Sequence, residues 1–202
     1  MSSGPAACRD RKRSRWTFFR QWLLHPRSVA SVTPSSPELG VAMMAEMPAG
    51  ARRVIELGGG TGALTRSIRE HGIADQDLLV LELNPELHRH LREEFPQAWV
   101  VQGDATRLRA AAASAGYLQG GPADAVVSGL GLLSMEKAMQ RDILASAFDC
   151  LREGGRFVQF TYGPRAPVSD RVVAELGLKV RKGEFVLRNV PPATVYVYEK
   201  NS

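Results

Sequence analysis

From residue 53 onward the chain alternates five times between a short run of branched apolar residues and a longer helix-compatible segment. This alternation constrains the fold more than any other feature of the sequence. Short apolar runs joined by helical crossovers build a parallel sheet covered on both faces. Strands are expected over 53–57, 78–82, 99–102, 123–128 and 156–161, and helices over 61–71, 85–95, 108–116, 136–151 and 167–176. The pair Gly154-Gly155 is read as the stop after the fourth of these helices. A further short helix is expected over 37–47. Two closing strands, 179–189 and 194–199, have only Pro191-Pro192 between them, which predicts an antiparallel hairpin at one edge. The expected fold class is therefore α/β, a doubly wound, mostly parallel seven-stranded sheet with a C-terminal antiparallel edge hairpin.

At 202 residues the chain suits one such domain rather than two. Its two cysteines, Cys8 and Cys150, make neither a disulfide framework nor a metal site. No run of 18 apolar residues predicts a membrane span, and the basic N-terminus lacks the apolar core of a secretory signal. Charge is distributed unevenly. Residues 1–27 hold seven bases and one acid, whereas the rest of the chain holds 19 bases and 20 acids. Within 9–25 the bases are interleaved with Trp16, Phe18, Phe19 and Trp22, an imperfect amphipathic helix suited to an anionic bilayer interface. A helix packed on the protein's own core and a nucleic-acid grip are the alternatives for this segment. The expected organisation is a basic aromatic segment and connector over 1–36, followed by a catalytic domain over 37–202.

The chemistry-bearing motif is V-I-E-L-G-G-G-T-G-A-L-T, Val54 to Thr65. Its core, Glu56, Gly58, Gly60 and Gly62, lies at the carboxyl end of the first strand, where open α/β sheets bind ligands. Three readings stand at this point: a structural glycine turn, a dinucleotide site of the G-x-G-x-x-A type, and a nucleoside-sulfonium site. Glu56 offers a carboxylate to an ammonium group. Glu82, with Leu83 beside it at the end of the second strand, offers acceptors for ribose hydroxyls under either nucleotide reading. After the third strand, Asp104 is placed to accept from an adenine amino group, with the small Ala105 leaving room for the ring. The loop after the fourth strand is S-G-L-G-L-L, Ser128 to Leu133, and L-R-E-G-G-R-F spans Leu151 to Phe157.

This ordered set resembles the class I S-adenosylmethionine-dependent methyltransferases over about residues 50–200. Four stretches further resemble the bacterial phospholipid N-methyltransferases: F-F-R-Q-W-L-L-H-P-R-S-V-A-S-V-T-P-S-S (Phe18 to Ser36), V-V-S-G-L-G-L-L (Val126 to Leu133), G-G-R-F-V-Q-F-T-Y-G-P (Gly154 to Pro164) and N-V-P-P-A-T-V (Asn189 to Val195). The chain departs from that family at Gly131, where proline is usual. The resemblance implies S-adenosylmethionine as cofactor, surrounded by Glu56, Gly58, Gly60, Gly62, Glu82, Asp104 and Ser128, with Ser35 and Ser36 folding over its methionine end. It implies the amine of phosphatidylethanolamine as acceptor, methylated towards phosphatidylcholine.

Attack by an amine requires its neutral form, and alkyl amines have a pKa of about 10, like lysine. A low-dielectric pocket beside a positive charge lowers that value. None of His25, His71, His88 and His90 is placed as a base. Tyr162, after the fifth strand, is placed to orient the amine and face a growing alkylammonium. Ser128, Gly129 and Leu130 complete the expected catalytic lining. The expected partners are phosphatidylethanolamine and anionic membrane lipids, met through 9–25, with no nucleic acid and no obligate protein partner. The expected location is the cytoplasm, peripherally on the inner face of the membrane. Two other readings stay open: an rRNA adenine N6-dimethyltransferase-like enzyme, and a non-catalytic S-adenosylmethionine-binding protein.

Overall fold

The computed structural model describes residues 36–163 and 165–201. The basic aromatic segment and Ser35 lie outside the described residues. Seven strands form one sheet: β1 (Val54–Leu57), β2 (Leu78–Glu82), β3 (Trp99–Gln102), β4 (Ala123–Ser128), β5 (Leu151–Thr161), β6 (Leu178–Val186) and β7 (Ala193–Lys200). Their order is β3-β2-β1-β4-β5-β7-β6. The first five are mutually parallel, and β7 pairs antiparallel with both β5 and β6. The strand order reverses beside β1, between β2 and β4, and such a switch point is where open α/β sheets form a crevice.

Helices α1 (Pro37–Ala45), α2 (Ala63–Glu70) and α3 (Pro85–Glu94) cover one face of the sheet. Helices α4 (Leu108–Ser114), α5 (Lys137–Phe148) and α6 (Asp170–Glu175) cover the other. Alternation along β1 sorts its side chains between the two layers. Ile55 and Leu57 join the α4–α6 layer, and Val54 joins the α1–α3 layer. Glu56 has the same parity as Val54, so a carboxylate occupies an apolar layer. Helix α1 is fastened at both ends. Its Ser36 cap accepts from Leu39 N at 3.2 Å, and past its last turn the carbonyls of Glu46 and Met47 accept from Arg156. Between these, Leu39 and Met43 are fully buried. Among the described residues no helix is long and apolar enough to cross a membrane.

The expected helix over 136–151 is shorter, and β5 starts earlier than 156. Ala123 N donates to Cys150 O at 2.8 Å, and Ala123 pairs with Leu151, so sheet pairing captures the chain before Gly154-Gly155. The register then shifts, and Gly154 adopts φ +69°. These glycines therefore make a bulge within a strand, not a helix stop. The expected helix over 167–176 begins only at Asp170, because Ser169 caps it by accepting from Val172 N.

Candidate active site

The carboxyl ends of β1, β2, β3, β4 and β5 converge on one edge of the sheet. Register places Leu57 beside Leu81 and Ser128, and Ser128 beside Gln159. The end of β6 and the start of β7 reach the same edge, since Val186 pairs with Ala193 and Thr161 with Thr194. Backbone bonds then lace the loops to neighbouring strands. Gly58 N donates to Leu81 O at 2.8 Å, Gly103 N to Glu82 O at 3.1 Å, and Gly129 N to Leu57 O at 2.9 Å.

The glycine loop is held from the side by Glu82. One carboxylate oxygen accepts from Gly60 N at 2.9 Å and the other from Asn84 N at 2.8 Å. Each oxygen keeps further lone-pair capacity for a ligand hydroxyl. Gly58, Gly60 and Gly62 all have positive φ, the conformation for which glycine carries no steric penalty. At Gly58 there is a second demand. A Cβ there would lie 2.8 Å from Leu130 Cδ2, and a Cβ on Gly129 would lie 3.2 Å from Gly58 O. The glycine loop and the S-G-L-G loop thus pack closely against each other, Gly129 against the Gly58 carbonyl and the Leu130 side chain against Gly58.

Glu56 is fully buried under that loop. One of its oxygens accepts from Thr65 Oγ1 at 2.6 Å, and the other has no hydrogen-bond partner among the described residues. Burial pushes its carboxyl up to about 7. The Thr65 hydroxyl and Arg66 oppose that rise, and the Glu82 carboxylate adds to it. An orphaned buried acceptor of this kind is uncommon and calls for a partner. Beside these groups, Leu83 stands exposed at the end of β2. Asp104 caps the short turn at Ala105–Arg107 through one oxygen, accepting from Thr106 N at 2.9 Å.

At the end of β4 Ser128 is fully buried, and its hydroxyl accepts from Leu130 N at 3.3 Å. Gly131 has φ −77°, within the range to which a proline ring restricts this angle, so the loop already has the shape that proline would impose. Tyr162 is half-buried, edge-to-face with Phe160 at 5.3 Å. Burial raises its phenol pKa, so it stays a neutral hydroxyl; that hydroxyl shares a hydrogen bond with Asn189.

Four polar residues without an expected role support these loops. Thr65 orients Glu56. Gln159, fully buried on β5, donates to Leu130 O at 2.9 Å. Gln140 on α5 donates to Leu132 O at 2.8 Å and accepts from Ser169 N at 3.0 Å. Asn189, 2% exposed, joins three separate parts of the chain. Its Oδ1 accepts from Ser36 N at 2.9 Å, its Nδ2 donates to Pro191 O at 2.7 Å, and it meets the Tyr162 hydroxyl. Of the expected methionine-side pair, Ser36 is thereby brought to the ligand edge.

A family model described as a methyltransferase domain matches residues 54–155, from β1 to the bulge in β5. The chain is also 36% identical over 183 residues to the ornithine lipid N-methyltransferase of Singulisphaera acidiphila, covering 89% of this chain and 92% of that one. The chain belongs to the methyltransferase-domain family. Among solved structures, the methyltransferase is similar to a TehB-like SAM-dependent methyltransferase from Corynebacterium glutamicum, with a TM-score of 0.60 and 19% identity over 94% of this chain and 100% of that one. It is also similar to the glycopeptide N-methyltransferase MtfA, solved with S-adenosylmethionine, with a TM-score of 0.62 and 16% identity over 82% and 94%. At these identities the likeness carries the fold, which is that of S-adenosylmethionine-dependent methyltransferases. The residues present fit that donor. Glu56 has a buried oxygen in need of a partner, Glu82 has spare acceptor capacity, and Leu83 is an exposed apolar contact.

Proposed function

We propose that this methyltransferase transfers methyl groups from S-adenosylmethionine to the amine of a membrane lipid, with phosphatidylethanolamine as acceptor and mono-, di- and trimethylated lipid as products. The observation that carries the reading is the match along nearly the whole chain to a methyltransferase named for a lipid nitrogen. When bound, the donor supplies an electrophilic methyl on a sulfonium. The protein's residues supply binding, orientation and a dry surface.

Glu82 holds ribose hydroxyls and Asp104 the adenine amino group, beside Leu83 and Ala105. Glu56 faces the ammonium of the methionine moiety, and Ser36, with Ser35 before it, closes over that end. Ser128, Gly129 and Leu130 line the acceptor position. Tyr162 stays protonated, so it orients the amine and does not deprotonate it; the lipid amine gives its proton to water before attack. Residues 9–25 hold the protein on the inner, anionic face of the membrane.

An ornithine lipid is a second acceptor, favoured by the name of that relative. Labelled donor is supplied with vesicles containing phosphatidylethanolamine, with vesicles containing ornithine lipid, and with RNA. Methylated phosphatidylethanolamine is the expected product. Label confined to ornithine lipid would replace the acceptor, and label in RNA would overturn the lipid reading.

A further inference from the structure

The turn between β6 and β7 has a feature that the methyl-transfer site does not use. Eight large apolar side chains stand exposed among the described residues, and three of them lie within six consecutive positions. Phe185 is 54% exposed, and Leu187 and Val190 are each 71% exposed. Arg188 lies among them, exposed and without a hydrogen-bond or ion-pair partner among the described residues. This is not a frayed loop. Val186 is buried in the α1–α3 layer, and Asn189 is bonded to Ser36, Pro191 and Tyr162. Buried Val186 and Asn189 are interspersed with exposed residues, so a firmly anchored turn presents an apolar outer surface.

Its place in the fold identifies what it meets. The turn is on the ligand edge, because Val186 pairs with Ala193 and Thr194 pairs with Thr161 at the end of β5. Asn189, between the exposed residues, touches Tyr162 on the acceptor side. A lipid acceptor keeps its acyl chains in the bilayer, so the edge that takes the headgroup must be pressed against a membrane. Apolar side chains around an arginine suit that layer: the hydrocarbon enters the headgroup boundary and the guanidinium meets phosphate. Three side chains fall well short of the ~800 Å² per partner that a stable protein interface buries. We infer that the β6–β7 turn, through Phe185, Leu187, Arg188 and Val190, is a membrane-docking surface that seats the acceptor edge on an anionic phospholipid bilayer. The inference rests on the lipid-amine reading, and it is separate from residues 9–25.

The test uses the full chain with Cys8→Ser and an environment-sensitive fluorophore on Leu187→Cys, with Glu153→Cys at the opposite edge as control. Vesicles of phosphatidylethanolamine and phosphatidylglycerol should blue-shift the label at 187 and leave the label at 153 unchanged. The double variant Leu187→Ser/Val190→Ser should transfer methyl to vesicle lipid at least fivefold more slowly. Its rate on a short-chain phosphatidylethanolamine dispersed below its micellar concentration should stay within twofold of the parent. A label at 187 that does not respond while the protein sediments with the vesicles would overturn the inference. So would a label already shielded without vesicles, because a second copy or the chain's own N-terminal segment would then cover the turn. Equal slowing on dispersed lipid would also overturn it, by showing a disturbed site. A blue shift without any methylated lipid would uphold the docking surface and sink the lipid-amine reading. Methylated lipid without a shift would do the reverse.

Discussion

Two carboxylates at this site face different surroundings, and each makes a measurable prediction. Glu82 ties down Gly60 while keeping acceptor capacity for the donor. Hydrogen bonds to a charged acceptor are worth about 1.5–3 kcal/mol each. Glu82→Ala should therefore lower donor affinity at least tenfold in calorimetry, and unchanged affinity in a folded variant would remove Glu82 from the site. Glu56 is buried with one oxygen unpartnered among the described residues, and its carboxyl is pushed from 4.5 to about 7. As pH rises past 4.5 the unfolded chain ionises this group first, while the folded protein must keep it neutral or bury a charge. Stability contributed by Glu56 is therefore lost progressively between pH 4.5 and about 7 and stays lost above that. The loss is on the order of 3 kcal/mol. Thermal melts at pH 5 and pH 8 should show Glu56→Gln losing less stability on going to pH 8 than the parent. Parallel losses would show that Glu56 ionises freely.

Among the elements, α1 and the β6–β7 hairpin have few local reasons to meet the end of β5, yet one side chain joins them. Asn189 reaches Ser36, 153 positions away, as well as Tyr162 and Pro191. Asn189→Ala leaves the Ser36 N–H and the Pro191 carbonyl without their partner. Both groups are only partly shielded from water, so each costs about 1 kcal/mol, the lower end of the range for a stranded buried group. Urea unfolding should show a loss of about 2 kcal/mol or more, and a loss under about 0.5 kcal/mol would mean that water replaces the side chain freely. A different pairing, β4 with β5, explains the shortened α5. Sheet pairing at Ala123 and Leu151 captures residues whose local sequence also suits a helix end.

Over the whole molecule, charge is the separating variable. The basic segment carries all of the positive excess, and the remainder of the chain, with 19 bases and 20 acids, is close to neutral. Binding to anionic vesicles through that segment should weaken as the Debye length falls from about 10 Å at 0.1 M salt to about 3 Å at 1 M. Deleting residues 1–25 should lower vesicle co-sedimentation at 0.1 M salt at least tenfold and leave donor affinity unchanged. Equal sedimentation of both chains at low salt would assign the attraction to another surface.

The sequence by itself determined the parallel sheet, its closing hairpin and the strand ends that carry Glu56, Gly58, Glu82, Asp104, Ser128 and Tyr162. All of these depend on short-range patterns: apolar runs of strand length, glycine at a sharp turn, and acids that end strands. Three strands, 78–82, 99–102 and 123–128, have the expected limits because each is a short, mainly apolar run closed by a polar residue. Tertiary structure decided what local pattern cannot encode. It placed Glu56 at zero exposure, with one oxygen unpartnered among the described residues, because α2 and the glycine loop close over a position that alternation alone makes merely inward-facing. It turned Gly154-Gly155 from a helix stop into a bulge, because β4 was there to pair with Leu151. It made Asn189 a hub and left Leu187 and Val190 in the open. Burial and long-range hydrogen bonds are properties of which elements pack together, and they exist only once the sheet has brought distant segments to one edge.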